Sequence, residues 1–353
     1  MIKSKLQQLI SISSTVKIDD NIFFHETYGN RIFRYSLKDE VLVCLARSPF
    51  STGHRLGYMG VSQYKDKIYF FPYYAKEICI YDIRTNTIEN KRCNYQYITK
   101  AINYGEKFFF WADEQNSIIC FDVENDIQEE IKLPNEMRIN ARCGGGIEVN
   151  GKLYIPAKEK GMIFCVDTQI LSVQPLTVTD EKMMFETIAF DGEDLWLSGT
   201  RKKIIKWNLK KRIKEEYSLE YLEDRKIEMP WDSYFHSSIV FGEYVYFSPF
   251  KAKQLIRIHI RSSKVEKILE MYENEGTMLI DDWNKYLYFS CKNLKDGMAL
   301  MDCLIDENGC VCKEKILFGE TDCNIEIQEH NEYSLKNFIS QIKGEHNEEI
   351  YFK

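Results

Sequence analysis

Ten residues with charged, aromatic or imidazole side chains stand just before, or at the start of, strand-like runs of the sequence. Arg138 and Arg142 share one face of an extended segment, as do Tyr234 and His236. Arginine offers a forked pair of donors to a carboxylate or phosphate, and aromatic rings offer faces for stacking. We therefore predict a binding site for an anionic or sugar-like ligand, formed by His54, Arg55, Tyr97, Arg138, Arg142, Glu186, Trp231, Tyr234, His236 and Glu275.

The acids in this set allow a second chemistry. Glu186 or Glu275 could share a proton with His236 in a lyase or hydrolase that acts on a sugar or a cyclic peptide. The same carboxylates could instead pair with Arg142 and Arg138, because a buried charge needs a partner. A purely structural role for the histidine is equally open. We favour ion pairing over catalysis and predict no catalytic residue.

Motifs for cofactors and metals are missing from the sequence. It contains no G-x-x-x-x-G-K-S/T, no G-x-G-x-x-G after a strand, no H-E-x-x-H and no G-x-S-x-G. The 11 cysteines include no C-x-x-C pair. We therefore expect neither a cofactor nor a metal.

The elements that position these residues come from a repeat. A pair of turn residues followed by an aromatic-rich apolar run occurs seven times, with a period of roughly 40–50 residues. An apolar run precedes each copy and two more follow it, so each unit contains four short strands. Small sheets of this kind bury their faces by packing radially. The apolar runs of the seven copies begin at Asn21, Lys67, Lys107, Lys152, Asp194, Tyr244 and Tyr286.

A short polar residue ends the third strand of each unit, as in Asp82, Asp122, Asp167 and, in the last unit, Asp302. Carboxylates in register could suggest catalysis, but Asp and Asn commonly cap turns by accepting bonds from nearby backbone N–H groups. We interpret them as turn caps. The pattern predicts an all-β protein: one seven-bladed β-propeller of four-stranded antiparallel blades over residues 1–318.

The segment from Ile80 to Ile88, Ile-Tyr-Asp-Ile-Arg-Thr-Asn-Thr-Ile, resembles the third strand, turn and fourth strand of kelch-type propellers. The resemblance covers the repeated region, roughly residues 12–318. Kelch repeats carry a glycine doublet after the second strand, where this chain has Pro72-Tyr73-Tyr74. The resemblance therefore implies a divergent kelch-like propeller and carries over no catalytic residue.

Composition limits the partners. The net charge of −7 and the pI near 5.6 argue against a nucleic-acid ligand, which needs a basic surface. No apolar stretch is long enough to cross a membrane, so we expect no membrane partner. An odd number of cysteines suits a reducing, cytoplasmic environment. We expect the strand cysteines Cys79, Cys120 and Cys165 to be reduced and largely buried.

Two further segments stand out. Residues 319–353 form an acidic connector and tail, in which Leu335, Phe338, Ile339 and Ile342 have the spacing of a short amphipathic helix after Ser334. We expect this helix to pack on the propeller, with docking to a partner as the alternative. The run 201–214 contains eight lysines and arginines and no acid. We interpret it as a protected outer edge of the fifth blade, with an electrostatic patch for an acidic partner as the alternative.

Together these observations favour a cytosolic, non-catalytic binding or scaffold propeller. Its ligand would be a protein, a peptide or a glycan bound at one mouth of the central channel. The channel-mouth lyase or hydrolase remains the alternative.

Overall fold

The computed structural model describes residues 7–8, 12–26, 31–39, 41–48, 57–112, 116–140, 145–225, 233–270, 275–283, 286–293, 300–306, 308–317 and 319–320. All strands pair in antiparallel sheets, and the described residues include no α-helix. One 3₁₀ turn, Pro134–Glu136, leads from the third sheet to the fourth.

Each sheet has four strands in chain order, here called the first to the fourth strand of a blade. The strands are Ile12–Ile18, Asn21–Glu26, Arg31–Ser36 and Val41–Arg47 in blade 1; Tyr58–Tyr64, Lys67–Pro72, Glu77–Asp82 and Thr87–Arg92 in blade 2; Ile98–Tyr104, Lys107–Ala112, Ser117–Asp122 and Ile127–Lys132 in blade 3; Ile147–Val149, Lys152–Pro156, Met162–Asp167 and Ser172–Thr177 in blade 4; Phe185–Phe190, Asp194–Gly199, Lys203–Asn208 and Lys214–Ser218 in blade 5; and Phe235–Phe241, Tyr244–Pro249, Gln254–His259 and Val265–Glu270 in blade 6.

A further four-stranded sheet follows blade 6, with its backbone strands at Glu275–Trp283, Tyr286–Asn293, Leu300–Ile305 and Val311–Leu317. Its first strand contacts the first strands of blades 6 and 1, and the other first strands contact one another in succession. The first strands therefore form a closed ring. Beside it, Gln7–Gln8 pairs with Gly319–Glu320, so the segments before blade 1 and after the last sheet are joined.

The up-and-down order of the strands creates two faces. The turns between first and second strands and between third and fourth strands lie on one face, called the bottom. The turns between second and third strands lie on the other face, called the top, together with the connections between blades. Backbone hydrogen bonds join these two kinds of top segment, as in Tyr97 N–H to the Tyr73 carbonyl at 2.8 Å.

The predicted all-β propeller of four-stranded antiparallel blades is confirmed. Of the seven predicted blades, six are described with their side chains, and the last sheet is described mainly by its strands. The predicted second strands at 67–72, 107–111 and 152–156 are found at Lys67–Pro72, Lys107–Ala112 and Lys152–Pro156. The predicted C-terminal helix lies outside the described residues.

The core lies between neighbouring blades, and each second strand contributes side chains to the two interfaces on either side of its blade. In blade 3, Phe108 and Phe110 pack against blade 2, while Phe109 and Trp111 pack against blade 4. Side chains alternate between the two faces of a strand, so an unbroken apolar run supplies two interfaces at once. This double burial explains why the second strands are the most recognisable part of each repeat.

The polar residues after the third strands cap turns, as interpreted. The Asp82 carboxylate accepts the N–H groups of Arg84 and Thr85 at 2.9 and 3.0 Å, and Asp122 and Asp167 do the same in their own turns. The last copy was assigned wrongly. Asp302 lies inside a strand, and Asp306 caps the turn by accepting bonds from Asn308 and Cys310.

The basic run at 201–214 lies on the third strand of blade 5 and its flanking turns more than on the outer edge. Acids from other segments neutralise much of it. Lys206 lies 3.3 Å from Asp194, and Lys214 lies 2.8 Å from Glu216. The sequence could not show these pairs, because the acids lie outside the run.

The strand cysteines differ in their burial. Cys79 and Cys120 are free thiols that are 0% and 2% exposed, and burial raises the pKa of Cys79 to about 12 and of Cys120 to about 11. Cys165 is also a free thiol, and it is partly buried, less so than the other two.

We predict that native protein reacts with a thiol reagent at Cys310, which is exposed, long before it reacts at Cys79 or Cys120. The buried thiols are protonated at neutral pH and inaccessible, and the thiolate is the reactive species. Mass spectrometry after short labelling measures the order. Rapid modification of Cys79 in folded protein would contradict it.

His25 is an imidazole buried against aromatic rings. It lies on the second strand of blade 1, is 2% exposed, and contacts the rings of Tyr58 and Phe70 at centroid distances of 4.7 and 5.7 Å. Neither ring nitrogen has a hydrogen-bond partner. Burial lowers the pKa of His25 to about 3, so the imidazole is neutral in the fold.

This histidine makes the fold sensitive to acid. Below about pH 6.5 the imidazole binds a proton in the unfolded chain but not in the folded one. The free energy of unfolding therefore has its full value above that pH and decreases as the pH falls toward 3. The slope reaches about 1.4 kcal/mol per pH unit. We expect urea unfolding at pH 7 and about pH 4.5 to show this loss in the wild type and a smaller loss in His25→Phe. Equal losses in both proteins would count against it.

Candidate functional site

A repeated β-bulge marks the top end of the first strands. In five sheets one residue has no partner on the second strand; in blade 5, for example, Phe185 pairs with Gly199 and Thr187 with Ser198, leaving Glu186 between them. Bulges bend a strand and redirect a side chain, and they occur often next to binding sites. The extra residues are Met59, Thr99, Glu186, His236 and Met278.

Two of these extra residues are polar groups predicted for the site, in adjacent blades. Glu186 is 8% exposed, whereas His236 keeps partial exposure while its Nδ1 atom is buried and has no hydrogen-bond partner. The His236 ring lies 6.1 Å from that of Phe250. Within the described residues, no hydrogen bond joins His236 to Glu186. The pair therefore shares a level in the ring without forming an acid–base contact.

Lys100 adds a positive charge to this level. It directly follows the bulge residue of blade 3, and its charge acts on His236 in blade 6, which lies across the ring. Burial, with a smaller effect of Lys100, lowers the pKa of His236 to about 4. The Lys100 side chain also lies over Gly145, where a Cβ atom would come within 2.7 Å of its Cε. A glycine is favoured there because its φ of 119° is a conformation that other residues rarely adopt.

Hydroxyl pairs lie directly below the two polar bulges. Thr187 and Ser198 are hydrogen-bonded at 2.7 Å in blade 5, and Ser237 and Ser248 at 2.9 Å in blade 6. They join the first and second strands through their side chains. These pairs support the bulged backbone that carries Glu186 and His236.

Three tyrosines cluster on the top face between blades 2 and 3. The rings of Tyr73, Tyr74 and Tyr97 are 5.0–5.6 Å apart and nearly perpendicular to one another. Gln96 donates to the carbonyls of Tyr74 and Ala75, which fixes the turn. Tyr97 has a φ of 60° and remains 40% exposed. A positive φ is strained for a bulky residue and is retained only where its surroundings enforce it.

Of the ten predicted site residues, the structure describes six. Tyr97, Arg138 and Tyr234 lie on top-face connections, Glu186 and His236 on first strands near the top, and Glu275 at the start of a first strand. His54, Arg55, Arg142 and Trp231 lie outside the described residues. Sequence reasoning missed Lys100 and the pair Tyr73 and Tyr74. The tyrosine pair stood where kelch repeats have glycines, and that replacement was a usable signal.

The described part of the chain contains no group of three or more His, Cys, Asp or Glu side chains placed to hold a metal ion. Over the same residues, no helix is long and apolar enough to cross a membrane.

Comparison with known proteins identifies the fold alone. No family model matches the chain, and no curated protein matches it. Many solved structures do, among them the computationally designed Ika8 protein, with a TM-score of 0.57 and 10% sequence identity over 88% of this chain and 89% of that one. At this identity the likeness concerns architecture. The kelch-like resemblance therefore gains no support from a family match.

We predict that His236 stays neutral in the folded protein down to about pH 4. Removing the opposing charge in Lys100→Met should raise the pKa of His236, although burial, the larger cause, remains. Histidine resonances followed by NMR during a pH titration measure both values. An imidazole that titrates near 6.5 in the wild type would show that this environment is described wrongly.

Proposed function

We propose that this protein is a non-catalytic recognition propeller that binds a protein, peptide or glycan at the top mouth of its channel. The observation that carries the proposal is the repeated bulge, which in five sheets brings one extra residue to the same level of the ring. A feature repeated in five sheets is part of the architecture. In two adjacent blades the residue it supplies is ionisable, namely Glu186 and His236.

The alternative is a lyase or hydrolase in which Glu186 and His236 exchange protons. A general base must lie within hydrogen-bond reach of the proton it moves, and its pKa should lie near the working pH. His236 has a pKa of about 4, and no bond joins it to Glu186 among the described residues. The arrangement is better suited to accepting or donating a fixed hydrogen bond than to moving protons.

The nature of the ligand follows from the groups on the top face. Tyr73, Tyr74 and Tyr97 offer aromatic faces, and Tyr234 lies under the ammonium groups of Lys202 and Lys251 at 5.8 and 5.3 Å. Aromatic and cationic groups of this kind suit peptides and glycans. We further propose that the protein is cytosolic and kelch-like but divergent, and that it has no nucleic-acid or membrane partners, in keeping with its negative net charge.

A melting screen tests the proposal. Wild type, Glu186→Gln and the control Glu106→Gln, which changes an exposed acid on the bottom face, are heated with panels of peptides and oligosaccharides. A ligand at about 100 times its Kd stabilises the folded state by about 2.7 kcal/mol. We expect a hit to shift the melting temperature of wild type and the control, and to shift that of Glu186→Gln less.

Two results would count against the proposal. One is a hit that stabilises all three proteins equally, because the binding site would then lie away from the mouth. The other is chemical conversion of a panel member by the wild type, which would support the enzyme.

A further inference from the structure

The top face of blades 4–6 carries a repeated set of cations. The turn between the second and third strands contains Lys158 and Lys160 in blade 4 and Arg201 and Lys202 in blade 5. In blade 6 it contains Lys251 and Lys253. Because these turns are equivalent in the three blades, all of them lie on one face of the ring.

Backbone hydrogen bonds place these turns side by side. The N–H of Lys158 bonds to the carbonyl of Arg138 at 2.8 Å. The N–H of Gly161, next to Lys160, bonds to Met183, and the N–H of Thr200, next to Arg201, bonds to Met184. Met183 and Met184 are consecutive in the chain, so the turns that carry Lys160 and Arg201 lie beside the same dipeptide. The cations follow a continuous segment of the top face.

Some of these charges are neutralised and others are not. Lys202 lies 2.9 Å from Asp224, and Lys253 lies 2.5 Å from Glu270. Four cations are exposed, and their side-chain nitrogens have no carboxylate within 4.0 Å among the described residues. They are Arg138, Lys158, Lys160 and Arg201, and we call them the basic arc.

We propose that the basic arc binds an acidic segment of a protein partner. The inference goes beyond the proposed function, because it assigns a ligand to a second surface of the top face that includes neither Glu186 nor His236. The whole chain carries a net charge of −7, so an exposed group of four unpaired cations is a local reversal of sign that attracts and orients an anionic partner.

The acids beside the arc favour a polypeptide. Glu159 stands between Lys158 and Lys160 in the chain, and Asp224 and Glu181 pair with Lys202 and Lys203. A uniform polyanion would meet these carboxylates and be repelled. A peptide can place its acids opposite the four cations and neutral residues opposite the acids.

The test uses fluorescent peptides of about twelve residues and fluorescence anisotropy. The probe alternates glutamate and serine, and the reference peptide replaces each glutamate with glutamine. We expect the acidic peptide to bind wild type more tightly than the reference does, and several-fold more weakly when salt rises from about 50 to about 200 mM. The arc variant Lys158→Glu/Lys160→Glu/Arg201→Glu should bind it at least roughly tenfold more weakly.

A matched control separates the arc from overall charge. Lys107→Glu/Lys152→Glu/Lys210→Glu makes the same change in net charge on the bottom face, and we expect it to bind nearly as well as wild type. Circular dichroism verifies that both variants fold. Equal losses in the two variants, or tighter binding of a sulfated oligosaccharide than of the acidic peptide, would overturn the proposal.

Glu186→Gln distinguishes the two proposals. It removes a group at the mouth and leaves the arc intact, so we expect acidic-peptide binding to persist in this variant. Loss of peptide binding there would overturn the arc as the site. Failure of the arc would leave the mouth to be judged by its own melting screen.

Discussion

Burial of both faces of every second strand is the constraint on which the rest of the structure depends. A four-stranded sheet with apolar residues on both faces cannot hide them alone, so it needs a neighbour on each side. Ile68 and Phe70 pack toward blade 1, while Tyr69 and Phe71 pack toward blade 3. Because every blade needs a neighbour on both sides, the blades close into a ring, and this closure places the first strands around a channel.

This constraint is also why so much of the fold could be predicted. An unbroken apolar run between turn residues is visible without an alignment, and its starts at Asn21, Lys67 and Lys107 coincide with observed strand starts. The first strands were harder. Their bulges break the two-residue alternation near the top, so Glu186 and His236 read as loop residues although they lie on strands. Asp302 was misassigned for a different reason: a turn cap is defined by the position of its turn, which begins four residues later, at Asp306.

The candidate site combines predictable and unpredictable parts. Arg138, Tyr97 and His236 were predicted as site residues from their residue types. The order of the strands places them near the top face. Their electrostatics depended on contacts between distant segments: Lys100 reaches His236 from across the ring, and Glu181 neutralises Lys203 from the preceding connection. Interactions of this kind arise from closure, and no local window of sequence contains them.

The pairing of Gln7–Gln8 with Gly319–Glu320 gives the protein an order of assembly. Blades 2–6 can form from neighbouring segments as each is synthesised, but the first strand of blade 1 gains its second neighbour only when the last sheet is complete. Until then one apolar side of blade 1 has no blade against it. During synthesis, the interval before residue 320 is therefore the period in which this chain most needs protection from aggregation.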